Sequence, residues 1–349
     1  MENEINKQSE RWKNKYNNVD DSKIFEVRPK FPKCINIEIS DICNYDCLFC
    51  ASSKFFKEKG LIDDKLALRL IDEAYDNGAR EICFHINGEP LTNPNFEKYV
   101  ESAKEKGYTY IFMTTNGFLA DINRMKKVVD AGIDSVRFSI NSGRNKYKVI
   151  HGSGDYDIVI NNLKDLIKYR DENKKKFMIG ISMVETKYTK NDCIILKKEF
   201  ENIVDDITIL KVNDDAGQCS LNRELMSETS EGLASVKSIP CPIPFNSCYV
   251  TRIGHLTMCC GDKRNYMAVA DLNDVRISKA WNNEAATRLR KKMISGEIEG
   301  IICYNCIFGK SEEVYPLNES YAKKYISKEY DDDRVNRIQI LKELSYLED

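Results

Sequence analysis

The chain has no excess of either charge. Its 53 lysines and arginines against 55 aspartates and glutamates leave a formal net charge of −2. It therefore lacks the basic footprint with which nucleic-acid binders neutralise phosphates, and no nucleic-acid partner is expected. No stretch reaches the roughly 18 apolar residues that a membrane span needs. The start, Met1-Glu-Asn-Glu-Ile-Asn-Lys7, holds no apolar signal segment. A cytoplasmic protein without a membrane partner is expected. A disulfide framework does not suit a reducing compartment, and an odd count of 13 cysteines fits complete pairing poorly. Ligation of metal or clusters is the economical use of so many thiols.

What is present is concentrated in one short loop. Cys43-Asn-Tyr-Asp-Cys47-Leu-Phe-Cys50 places three thiolates directly after the apolar run 34–39. Thiolates this close along the chain can hold three irons of a [4Fe–4S] cluster. No fourth cysteine follows at ferredoxin spacing, so the fourth iron would be open, and an open coordination position is where chemistry occurs. The alternative for the same residues is a zinc site completed by a distant ligand.

The length of 349 residues supports one large domain and a smaller one. Residues 1–30 are polar, with scattered Trp12, Tyr16, Ile24 and Phe25, and read as an arm or surface helix. Onward from 34, short runs rich in Ile, Val and Phe (34–40, 81–86, 109–114, 135–140, 177–184 and 206–212) alternate with amphipathic runs (63–77, 95–106, 120–131, 158–170 and 191–201). Gly78, Gly107 and Gly132 follow three of these helices, where a left-handed cap favours glycine. The alternation predicts an α/β core over 31–215, with parallel strands joined by crossover helices. Function should gather at the C-terminal ends of such strands.

Residues 216–240, polar and rich in Ser and Glu, read as a linker. Then come Cys241, Cys248, Cys259, Cys260, Cys303 and Cys306. Residues 248–258 alternate around Gly254 as a β-hairpin does, and 278–294 read as a helix. Four of these thiolates could bind a second cluster or a structural zinc. Adjacent Cys259 and Cys260 would point to opposite faces of a strand. Residues 310–349, with apolar spacing at Ile338, Leu341 and Leu344, read as a helical tail packed on the core.

The triplet, with Phe49 just before its last cysteine, resembles the radical S-adenosylmethionine (SAM) superfamily. The resemblance covers about residues 30–215 and implies a partial (β/α)6 TIM-like barrel. It also implies a [4Fe–4S] cluster on Cys43, Cys47 and Cys50, SAM on the open iron, and a 5′-deoxyadenosyl radical that takes hydrogen from substrate. Asn87-Gly88-Glu89-Pro90 resembles the family's Gly-Gly-Glu-Pro, which binds the SAM amino group through backbone and Glu; Asn87 replaces the first glycine. Thr114-Thr115-Asn116-Gly117 and Ser139-Ile140-Asn141-Ser142-Gly143 look like family elements near SAM. By that likeness Ser139 would face the SAM carboxylate with Arg144 as cationic partner, and Ser182 the ribose. Each motif alone is an ordinary turn; their order, each after its own strand, carries the resemblance. Residues 241–309 resemble the twitch domain, a shortened SPASM domain, which implies one auxiliary [4Fe–4S] cluster on Cys241, Cys259, Cys303 and Cys306.

The whole layout resembles dehydrogenases of the 2-deoxy-scyllo-inosamine type. It implies an oxidoreductase that abstracts hydrogen from a sugar or cyclitol, passes the remaining electron to the auxiliary cluster and leaves a ketone. A small-molecule substrate and a reducing partner such as flavodoxin or ferredoxin follow. One alternative is an epimerase in which Cys248 or Cys260 returns hydrogen to the substrate radical. Others are a peptide- or protein-modifying maturase, against which the short N-terminal arm counts, and a zinc-stabilised binding protein. His85 and Glu185 stand where a general base could sit.

Overall fold

The computed structural model describes residues 25–51, 59–227, 239–322 and 332–346. Six strands run parallel: β1 (Cys34–Ile37), β2 (Glu81–Cys83), β3 (Tyr110–Thr115), β4 (Ser135–Ser139), β5 (Met178–Glu185) and β6 (Asp206–Lys211). The helices between them are α1 (Asp64–Asp76), α2 (Phe96–Lys106), α3 (Ile122–Asp130), α4 (Arg144–His151), α5 (Tyr156–Glu172) and α6 (Lys190–Phe200). Asp63 starts α1 by accepting the Leu66 N–H, at 2.9 Å. Gly107 ends α2 at φ 106°, where a Cβ would also meet Tyr75 Oη at 2.7 Å. Helix α4 was not foreseen. It buries Tyr147, Ile150 and His151.

Period-two alternation gives each strand two faces. Ile35, Ile37, Val136, Phe138, Ile179 and Ile181 join the main core with helix residues such as Leu70, Val100 and Leu163. The alternate residues are polar higher up the barrel, with Asn36, Glu38, Ser139 and Ser182. Lower down, Cys34, Cys83, Tyr110 and Phe112 pack together. Arg137 crosses this face to a buried ion pair with Asp206 and donates to Ile181 O at 3.0 Å and Thr208 Oγ1 at 2.9 Å.

The sheet does not close. Its order is β6-β5-β4-β3-β2-β1-β7-β8-β9, because the outer edge of β1 is taken by the second cysteine region. After α7 (Ile243–Asn246), β7 (Cys248–Val250) pairs parallel with β1, Ile35 opposite Cys248, and β8 (His255–Thr257) and β9 (Ala268–Asp271) extend the sheet antiparallel. The hairpin expected from the sequence is therefore a continuation of the barrel sheet. Helices α8 (Ile277–Ala280), α9 (Glu284–Ser295) and α10 (Ile302–Phe308) cover it. Arg290 of α9 is fully buried, lies over Trp281 and donates to Pro244 O at 2.8 Å.

The stretch read as a linker is packed over 216–227; residues 228–238 lie outside the described residues. A 3-10 turn over Ser220–Leu225 buries Leu221 and Leu225. These join Leu48, Ile150, Val212, Ile338 and Leu341 in a second core, closed by α11 (Asp332–Tyr346). The tail helix thus packs under the cysteine loop.

Candidate active site between two groups of cysteines

β1 continues through Glu38 and Ser40 into the triplet loop, which is held from two sides. Asp46 N–H donates to His151 O at 3.2 Å and Leu48 N–H to Ile150 O at 2.8 Å, fixing the loop to the end of α4. From α11, Arg334 Nη2 donates to Cys50 O at 2.7 Å and Arg337 Nη2 to Asp46 O at 2.9 Å. The three thiols share one neighbourhood, since a charge on Cys50 would be felt by both Cys43 and Cys47. Burial pushes Cys43 up to about 12 and Cys47 well above the ordinary thiol value. Such thiols ionise when a metal takes the place of the proton. Three soft sulfurs on one loop are the donor set of an iron–sulfur cube. Among the described residues, no group of three or more His, Cys, Asp or Glu is set as a single metal ion requires.

The loop after β2 lies against the triplet loop because Gly88 permits it. Its φ is +69°, and a Cβ there would fall 2.6 Å from Ser40 O; next to it, Glu89 N–H donates to Ile42 O at 2.8 Å. Asn87 faces inward, its N–H and Nδ2 donating to Glu38 Oε2 at 3.2 and 2.7 Å. Ser139 and Ser182 sit opposite each other on β4 and β5, hydroxyls 3.4 Å apart.

Several of the expected site residues are engaged within the protein itself. The Glu89 carboxylate accepts from Leu91 N–H (3.1 Å), Thr115 Oγ1 (2.8 Å) and Asn116 N–H (2.7 Å), so Glu89 and Thr115 brace the turn beginning at Pro90. Burial lifts Glu89 to about 7 against those three donors. Asn116 Nδ2 lies 3.8 Å from Cys43 Sγ. The Asn141 side chain is taken by Val184 N–H, 2.7 Å from Oδ1, and by His151, whose Nε2 is 3.3 Å from Nδ2. Arg144 stands at the first turn of α4 with its side chain 61% exposed and paired with Asp157. Phe49 packs in the second core, and its carbonyl receives Asn222 Nδ2 at 2.9 Å. His85 Nδ1 accepts Thr114 N–H at 3.0 Å, tying β2 to β3, and Glu185 pairs with Lys211 across β5 and β6.

The second group converges as well. Cys303 and Cys306 share a face of α10 at i, i+3 spacing. Cys241 feels Cys306 and Cys260, while Cys259 feels Cys260, Cys303 and Cys306. Burial pushes Cys241 up to about 12 and Cys303 well above its ordinary value. Cys259 and Cys260 lie beyond the end of β8, in a turn, so the opposite-face rule for strands does not apply and both thiols reach one place. Cys248 is different. It lies on β7, fully buried in the main core, as a small hydrophobe does.

Between the two groups stands Lys263, which the sequence reading missed. Its Nζ is 3.5 Å from Asn87 Oδ1 and 3.5 Å from Cys260 O. Loss of water works against its charge, but Asp215, Cys50, Cys260 and Cys219 together hold its pKa above the ordinary lysine value. Gln218 fixes this turn, accepting Lys263 N–H at 3.1 Å and donating to Gly261 O at 2.9 Å. His151, Arg334 and Arg337 were missed too. A signal existed for the arginines, since 334, 337, 338 and 341 repeat at helical spacing.

The sequence matches the Radical SAM superfamily over residues 37–186 and SPASM, an iron–sulfur cluster-binding domain, over 241–307. A tungsten-containing aldehyde ferredoxin oxidoreductase cofactor-modifying protein of Pyrococcus furiosus is 30% identical over 158 residues, 44% of each chain. The chain spans about half the length of the first curated relatives it matches. By contrast, the S-adenosyl-L-methionine-dependent 2-deoxy-scyllo-inosamine dehydrogenase of Niallia circulans is 24% identical over 292 residues, 80% of this chain and 96% of the relative. The structure of that enzyme, BtrN, in complex with AdoMet and 2-DOIA superposes with a TM-score of 0.53 at 19% identity, covering 83% of this chain and 99% of BtrN. Streptococcus suis SuiB bound to precursor peptide SuiA shares the fold with a TM-score of 0.61 at 15% identity, over 84% and 76%. With its thiol triplet after β1 and a second thiol group around the extended sheet and α10, the chain carries a Radical SAM superfamily domain, which binds a [4Fe–4S] cluster and SAM, and a SPASM domain, which binds auxiliary iron–sulfur clusters.

Proposed function

We propose that the chain oxidises a secondary alcohol of a hydroxylated small molecule, a sugar or cyclitol, to a ketone. Cys43, Cys47 and Cys50 would hold the SAM-binding cluster and Cys241, Cys259, Cys303 and Cys306 an auxiliary [4Fe–4S] cluster, with a flavodoxin or ferredoxin as reductant. When bound, these groups supply the redox chemistry: a 5′-deoxyadenosyl radical to take the carbinol hydrogen, and an auxiliary cluster to accept the electron left when the hydroxyl proton departs.

The observation that carries the reading is Lys263, whose Nζ lies 3.5 Å from Asn87 Oδ1, in the loop against the first thiol group, and 3.5 Å from Cys260 O of the second. A small polar molecule beside it lies within reach of both. Lys263 is the donor for a substrate oxygen, and Asp215 keeps that donor charged. The polar inner face, with Glu38 and Asn87 engaged to each other, gives the hydroxylated ring polar walls. The match to the Niallia circulans dehydrogenase over nearly its full length supports the same chemistry. Epimerisation has less support, because Cys248 is inside the core and Cys260 is grouped with the auxiliary thiols.

The test uses anaerobic enzyme with SAM, a chemical reductant, and carbinol-deuterated 2-deoxy-scyllo-inosamine and sugars. Deuterium carried into 5′-deoxyadenosine together with a ketone product is the expected result. Loss of the carbinol deuterium with solvent hydrogen gained at an inverted carbon would replace the reading by epimerisation. SAM cleavage answering only to peptides would overturn the substrate class.

A further inference from the structure

We propose that His151 is a positioning residue for the cluster on the triplet loop: it donates its Nδ1 hydrogen to the Cys47 thiolate and thereby eases reduction of that cluster. The inference rests on the ligand reading above, with Cys47 as one of three ligands. His151 ends α4 and is fully buried. Its ring stacks on Tyr147 with centroids 4.0 Å apart and stands edge-on to Tyr45 at 5.8 Å, so its orientation is fixed.

The two ring nitrogens face different groups. Nε2 lies 3.1 Å from the backbone N–H of Asn141, and a backbone amide can only donate. The Asn141 side chain adds a second donor. Its Oδ1 is committed to Val184 N–H at 2.7 Å, which turns Nδ2 towards His151 Nε2, 3.3 Å away. Nε2 is therefore the lone-pair nitrogen, and the hydrogen resides on Nδ1. Nδ1 lies 3.7 Å from Cys47 Sγ. Hydrogen bonds to cluster sulfurs, like other groups behind metal ligands, set the reduction potential, because a donor favours the more negative reduced state. The His151 O to Asp46 N–H bond ties the ring's backbone to the loop, so the donor moves with the thiolate it serves.

The experiment is an EPR-monitored redox titration of the reconstituted full chain, following the signal that responds to added SAM. His151→Phe keeps the ring and its stacking and removes the donor. At a fixed potential its reduced-to-oxidised ratio should fall about tenfold, a shift of ~59 mV for one electron, with iron per chain unchanged. His151→Asn, whose amide N–H comes near the place of Nδ1, should recover most of that loss. An unchanged ratio in His151→Phe, or the same loss in both variants, overturns the proposal. Should His151→Phe lose its iron, His151→Gln decides, because its amide reaches the place of Nε2 instead: it should show the tenfold loss, and a wild-type ratio overturns the idea. A SAM-responsive signal that survives in Cys47→Ala means that the ligand reading itself has failed, and the proposal with it.

Discussion

Removing the Arg337 guanidinium should release the triplet loop from the C-terminal helix. Arg337 is buried on α11 and donates to Asp46 O (2.9 Å), Ile150 O (3.3 Å), Val149 O (2.8 Å) and Asp46 Oδ2 (3.3 Å). Arg337→Met keeps most of the stem and removes every donor. Breaking a buried ion pair by deleting one partner costs about 3–5 kcal/mol. The Asp46 side chain is 26% exposed and regains some water, so the expected cost is near the lower limit, roughly 3 kcal/mol. As local opening this is on the order of a hundredfold. Hydrogen–deuterium exchange of peptides covering 43–50 reads it directly, because the Asp46 and Leu48 amides are bonded to the end of α4. Exchange there should accelerate by about two orders of magnitude while α2 is unchanged. Unaltered protection over 43–50 in Arg337→Met would refute the idea that α11 holds the loop.

Two other outcomes follow from the site. Glu89 is lifted from 4.5 to about 7 by burial, so it is protonated in the fold where it would be ionised in the unfolded chain. Its contribution to stability is fully present below pH 4.5 and is lost as pH rises through about 7. Wild-type folding free energy should therefore fall across that window relative to Glu89→Gln by an amount on the order of 3 kcal/mol, read as a falling melting temperature; parallel pH curves would contradict the assignment. Lys263→Met removes the charge between the thiol groups but no ligand. It should raise KM for the alcohol substrate at least tenfold, about 1.4 kcal/mol, while iron content stays at the wild-type level. An unchanged KM would remove Lys263 from the substrate site.

Much of this molecule was legible in the order of its residues. The β/α alternation fixed six parallel strands, because period two and period 3.6 are written in the positions of Ile, Val, Leu and Phe. The triplet was legible because its thiols are neighbours in the chain, and Gly88 because only glycine accepts both its φ and the approach of Ser40 O. The intramolecular partners of Glu89 and Asn141 were not legible, for one reason. A polar residue at a strand end can face a ligand or brace the backbone, and which it does depends on donors from other strands, Asn116 N–H and Val184 N–H.

The sequence by itself determined the alternation of strands and helices in the barrel, the thiol loop and the likeness to the radical SAM superfamily, since each depends on local pattern and spacing. Only the tertiary structure decided that β7 adds to the edge of β1, that Cys259 and Cys260 fall in a turn, and that His151, Lys263 and Arg337 meet the cysteines. Those contacts join residues tens to hundreds of positions apart. Nothing in local propensity records them, because they exist only once burial and hydrogen-bond satisfaction have been settled across the whole chain.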